Sequence, residues 1–121
     1  MSSRKEDTVK LWLIIVFVEI CALVIHECGH AIAAWLFHFR FLGIGIGVLG
    51  PYVRVFGHYR RRQNAIVALA GPGANCLAGG ILMRLGLPAT GFLVAAVGLV
   101  NLLPFPGSDG LKAIRATLGQ W

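Results

Sequence analysis

Charge is scarce in this sequence: 13% of the 121 residues are charged, and only five are acids. An ordinary soluble domain carries about 25% charged residues. A folded chain this small leaves much of its surface exposed, and five acids with eleven bases cannot cover that surface for water. Cysteine is scarce too and odd in number. Cys21, Cys28 and Cys76 each fall inside an apolar stretch, which excludes a disulfide framework and makes them reduced packing residues. No small-residue cleavage site follows the first apolar run, which far exceeds the roughly 7–15 residues of a signal peptide's core, so it is expected to stay attached. Internal repeats and low-complexity tracts are absent.

What fills the sequence instead is apolar: 57% hydrophobic residues and a mean hydropathy of +0.76. That excludes disorder and points to lipid as the solvent for most of the chain. The length leaves room for a single domain, residues 1–121. A net charge of +6 would suggest nucleic acid in a soluble protein. Here the bases cluster between apolar runs, where a membrane protein keeps them, so no nucleic-acid partner is expected.

Three membrane spans are expected, at about residues 11–39, 64–83 and 90–107. Gly86 and Pro88 mark a tight turn between the second and third. Between the first two spans, residues 43–48 alternate Gly and Ile or Val with a period of two. Leu49-Gly50-Pro51 reads as a turn, and Tyr52–Phe56 is rich in strand formers. This predicts a β-hairpin over about 41–57; a glycine-rich interfacial loop is the alternative. If all three segments cross, seven bases (Arg40, Arg54, Arg60, Arg61, Arg62, Lys112, Arg115) face four (Arg4, Lys5, Lys10, Arg84). The hairpin and the C-terminus are therefore expected to be cytoplasmic and the N-terminus outside.

The chemistry centres on His26-Glu27-Cys28-Gly29-His30, an HExxH motif in a helical context. Four residues make about one turn, so both imidazoles project from one face and can grip one ion. Glu27, rotated by about 100° from His26, can hold an attacking water. Cys28 points to the opposite face. A chance match is the alternative, but two histidines and a glutamate inside an apolar span are costly unless they do something. A catalytic zinc usually takes three protein ligands, and the only acid in the C-terminal half is Asp109. Pro104, Pro106 and Gly107 should break the third span just before it. Asp109 could instead cap a helix beginning near Gly110. Asn75, within Ala70-Gly71-Pro72-Gly73-Ala74-Asn75, could hold a substrate carbonyl, stabilise an oxyanion, or bond a neighbouring helix for packing alone.

HECGH, AGPGAN and Asn101-Leu-Leu-Pro-Phe-Pro-Gly-Ser-Asp-Gly110, in this order and spacing, resemble the site-2 protease family of intramembrane zinc metalloproteases, from about Ile20 to Arg115. The resemblance implies an all-α transmembrane fold with a three-helix catalytic core and a β-hairpin between its first and second helices. It implies one Zn²⁺ per chain on His26, His30 and Asp109, with Glu27 as general base and Asn75 as a substrate-positioning or transition-state group. The activity implied is hydrolysis of peptide bonds in or near transmembrane segments of membrane-protein substrates, with the hairpin offering a strand edge to unwound substrate. The site would lie towards the cytoplasmic side of the cell membrane. Members of the family usually carry further helices and often a PDZ or CBS domain; this chain resembles the bare core, and a homo-oligomer could supply further packing. Two other functions remain open: a zinc-binding scaffold without turnover, and ion or proton transfer. Glu19, one heptad before His26, could line a path to the ion or bond a neighbouring helix. His38 and His58 are expected to have no metal role.

Overall fold

A computed structural model describes residues 2–38, 40–47, 50–56 and 60–119, with the backbone alone for 40–42 and 50–56. In chain order these residues form α1 (Ser2–Leu36), β1 (Arg40–Gly47), β2 (Gly50–Phe56), α2 (Arg61–Arg84), α3 (Pro88–Asn101) and α4 (Asp109–Leu118). The helix α1 starts nine residues before the expected boundary at Leu11, because neither Gly nor Pro interrupts the chain before Gly29. Its 35 residues reach about 52 Å. It stops at Leu36, and His38 takes a positive φ of 60° just beyond.

The third helix is shorter than its expected span, ending at Asn101 instead of about residue 107. Pro104 disfavours helical geometry at Leu103, so the helix closes one turn earlier with Leu102 as its C-cap. Among the described residues, α1 and α2 are the helices long and apolar enough to cross a membrane. With 14 residues, α3 measures about 21 Å, less than the roughly 30 Å hydrocarbon core.

Strands β1 and β2 pair antiparallel from Arg40↔Phe56 to Gly47↔Gly50, with a bulge between Phe41 and Gly43. Gly50 and Pro51 lie in β2 and not in the turn where the sequence suggested them. The connection at Val48 and Leu49, and His58, fall outside the described residues.

Helix α2 is the hub, packed against α1, α3 and α4. Its contacts are close because the facing residues are small. A Cβ on Gly29 of α1 would run into the Ala70 carbonyl and the Ala74 Cβ, and one on Gly98 of α3 would stand 2.6 Å from the Pro72 carbonyl. The largest fully buried side chains are Asn75, Pro72 and Ser108, whereas Trp12, Phe17, Trp35, Leu77 and Phe92 point outwards. A water-soluble core has the reverse arrangement; small residues inside and bulky apolar ones outside suit helices surrounded by lipid. Cys21 and Cys76 are half-buried as packing residues would be, but Cys28 is exposed, because the helical turn carries it away from the face that His26 and His30 share.

Candidate metal centre

The histidines of HECGH lie one turn apart on the face of α1 turned to α2 and α4, their ring centroids 4.7 Å apart. Asp109 arrives from the far end of the chain. After α3 ends, the segment 102–108 doubles back, and Gly110 packs against the Leu102 carbonyl so tightly that no side chain would fit there. Ser108 then caps α4: its buried Oγ accepts hydrogen bonds from the Leu111 and Phe105 amides, each at 3.2 Å. With the cap supplied by Ser108, Asp109 occupies the first position of α4 and its carboxylate is turned to the histidines.

There the Asp109 Oδ2 lies 2.6 Å from His26 Nε2 and 3.2 Å from His30 Nε2, and the two ring nitrogens are 3.1 Å apart. The second ring nitrogen of His30, Nδ1, lies 2.7 Å from the Val67 carbonyl oxygen. A carbonyl only accepts, so Nδ1 carries the proton, and a neutral His30 presents a bare lone pair at Nε2. That lone pair faces an acceptor, Asp109 Oδ2, and with both rings neutral the only donor available to the trio is His26. A divalent cation suits all three atoms at once. Zinc ligand atoms about 2.0–2.1 Å from the ion in a tetrahedron stand about 3.3 Å from one another, close to the spacings found here. A histidine ligand normally donates its other N–H to a carbonyl or carboxylate, as His30 does to Val67. His26 Nδ1 is buried and has no partner among the described residues.

Burial alone would raise the Asp109 pKa, but the hydrogen bond accepted from His26 leads the effects that outweigh it and hold the carboxyl well below its ordinary range. Asp109 is therefore a carboxylate at neutral pH. Its other oxygen, Oδ1, lies 3.8 Å from the Lys112 ammonium, which is half in solvent and adds little by itself. Glu27 is half-buried beside the rings: one oxygen of its carboxylate and one nitrogen of each ring lie within 4.8 Å of one another.

Room for the His30 ring comes from Gly71, where a Cβ would collide with the imidazole. Asn75 belongs to another contact. It is fully buried, its Nδ2 donates to the Val94 carbonyl of α3 at 3.1 Å, and its Oδ1 has no partner among the described residues. The structure thus brings His26, Glu27, His30 and Asp109 together and bonds Asn75 to α3. Glu19 is half-buried one heptad before His26, with no ion pair among the described residues; His38 is exposed. Sequence reasoning missed the Val67 carbonyl, Ser108 and Lys112. Ser108 had a signal, since Ser-Asp-Gly before an amphipathic run marks an N-cap. A backbone carbonyl leaves none.

No family model matches the chain. Compared with curated proteins, it is similar to the "Putative zinc metalloprotease Rip2" of Mycolicibacterium smegmatis, 29% identical over 158 aligned residues that take in 95% of this chain. The chain spans 61% of that relative's length. An alignment longer than the chain itself means that the relative holds internal segments this chain lacks. The printed name of that relative agrees with the family that the three motifs resemble, since both are zinc metalloproteases.

Proposed function

We propose that this chain is an intramembrane zinc metalloprotease of the site-2 protease type, a three-helix core with a β-hairpin that hydrolyses peptide bonds in or near transmembrane segments of membrane-protein substrates. The observation that carries this reading is the convergence of His26 Nε2, His30 Nε2 and Asp109 Oδ2 within 3.2 Å of one another beside Glu27. In this reading those three atoms would hold one zinc ion, which would supply Lewis acidity for a substrate carbonyl and a nearby water. Glu27 accepts the proton of that water as it attacks, and passes it to the leaving amine. Val67 fixes which nitrogen of His30 is free. Asn75 keeps one Nδ2 hydrogen and its Oδ1 to offer a substrate backbone, or serves only to join α2 to α3.

A substrate helix hides its carbonyls until it unwinds. Both strands of a two-stranded sheet are edges, and β1 carries Ile44 and Ile46 largely exposed. An extended substrate segment could add to such an edge. The excess of bases on the hairpin side supports an orientation with that side, and the site, towards the cytoplasm.

The test is detergent purification with metal analysis, beside a cleavage assay on transmembrane substrates. Wild type is expected to hold one zinc per chain and to cleave. Glu27→Gln should keep the zinc and lose about two to four orders of magnitude in rate. Equal cleavage by both would refute the mechanism, and turnover by neither with zinc in place would identify a scaffold.

A further inference from the structure

We propose that the groove between α2 and α4 holds an acyl chain of an anionic phospholipid whose phosphate is bound by Arg61 and Arg62. The proposal rests on the membrane reading above. The groove has a volume of about 400 Å³, opens to the outside, and is lined by Ala65, Leu69, Leu102, Ala113, Ile114 and Leu118. Its axis is set by α2: Arg61, Ala65 and Leu69 follow at intervals of four and lie in one row on the helix surface, with Arg62 three residues before Ala65. From Arg61 to Leu69 the helix rises about 12 Å, comparable with the roughly 15 Å of hydrocarbon in one leaflet.

The head of this groove is strongly basic. Arg60, Arg61 and Arg62 are exposed at the start of α2, and the Arg61 guanidinium lies against Gly119, beside the Leu118 end of the groove. No acid shares that first turn, and none of the three arginines takes part in an ion pair among the described residues. The chain's acids are placed elsewhere: Glu6 and Asp7 near the N-terminal end of α1, Glu19 along it, and Glu27 and Asp109 at the metal centre. The positive end of the α2 dipole adds to the uncompensated charge. An anion above an apolar slot satisfies both halves, and guanidinium groups match phosphate oxygens in pairs. The groove at the other end of α2, lined by Cys76, Leu77, Gly80, Ile81 and Leu85, has Arg84 as the lone base in its lining and serves as an internal comparison.

The experiment uses the full chain in detergent, exchanged against equimolar phosphatidylglycerol and phosphatidylcholine of matched acyl chains, with retained lipid counted by native mass spectrometry. One phosphatidylglycerol per chain is expected, preferred about thirty-fold because two arginines face its net negative charge, which the choline ammonium cancels in phosphatidylcholine. The preference should vanish in Arg61→Gln/Arg62→Gln and retention should fall in Ala65→Trp, which fills the slot and leaves the arginines in place. Arg84→Gln should change neither. Equal retention of the two lipids, or phosphatidylglycerol retention that survives Ala65→Trp, overturns the proposal, the latter showing diffuse surface attraction. Flotation with phosphatidylcholine vesicles separates the two readings. A chain that floats without lipid preference overturns the lipid site alone, and one that does not float overturns the membrane reading with it.

Discussion

The two long contacts of α2 are built from the same small residues to opposite ends. Against α3, Gly79 faces Gly91 and Gly98 faces Pro72, so the backbones approach closely and Asn75 bonds across the contact. Against α1, Gly29 brings the helices equally close at Ala70 and Ala74, but one residue on, the missing side chain of Gly71 makes a space that the His30 ring fills. A glycine in a helix contact can therefore exclude everything or admit one chosen group. What decides is whether the partner helix presents another small residue or a ring.

Four substitutions test that contrast. The largest effect is expected for His26→Ala, which should take bound zinc from one per chain to near none by metal analysis, because two ligands do not hold a catalytic ion tightly. Gly71→Ala comes next. Its methyl group must displace the His30 ring, so zinc affinity should fall about 10–100-fold in a competition titration while helical content is kept. Gly98→Ala should do the converse, costing about 1–3 kcal/mol of stability by overpacking α2 against α3, with zinc stoichiometry intact. If Gly71→Ala instead destabilised the fold and spared the metal, the contrast between the two contacts would be lost. The smallest effect is expected for Asn75→Ala, about 0.6–2 kcal/mol for an interhelical hydrogen bond. A rate loss larger than that stability loss, with zinc bound, would give Asn75 a role towards substrate.

The parts of the molecule that depend on spacing were legible in the sequence. HECGH places two rings on one face whatever surrounds them, and Asp109 stood out as the lone acid of the C-terminal half. Where the third helix ends was misjudged, because hydropathy continues to Phe105 while the conformational restriction of Pro104 acts on the residue before it. The start of α1 lies ahead of the apolar span: residues 2–10 are polar, yet nothing in them breaks a helix. Capping was the alternative to a ligand role for Asp109; Ser108, one residue earlier, is the cap, which leaves the Asp109 carboxylate to the histidines. The Val67 carbonyl could not have been read at all. Every residue has one, and only the register of α2 on α1 selects it.

That register has a mechanical consequence. The bond from His30 Nδ1 to the Val67 oxygen is 2.7 Å long and spans two separate helices. A slide of α2 along α1 by one turn, about 5.4 Å, would carry the oxygen out of reach. The imidazole would then be free to turn or to exchange its proton between nitrogens. The orientation of the His30 ring thus depends on the two helices staying in step, and a force that wedges them apart would release it.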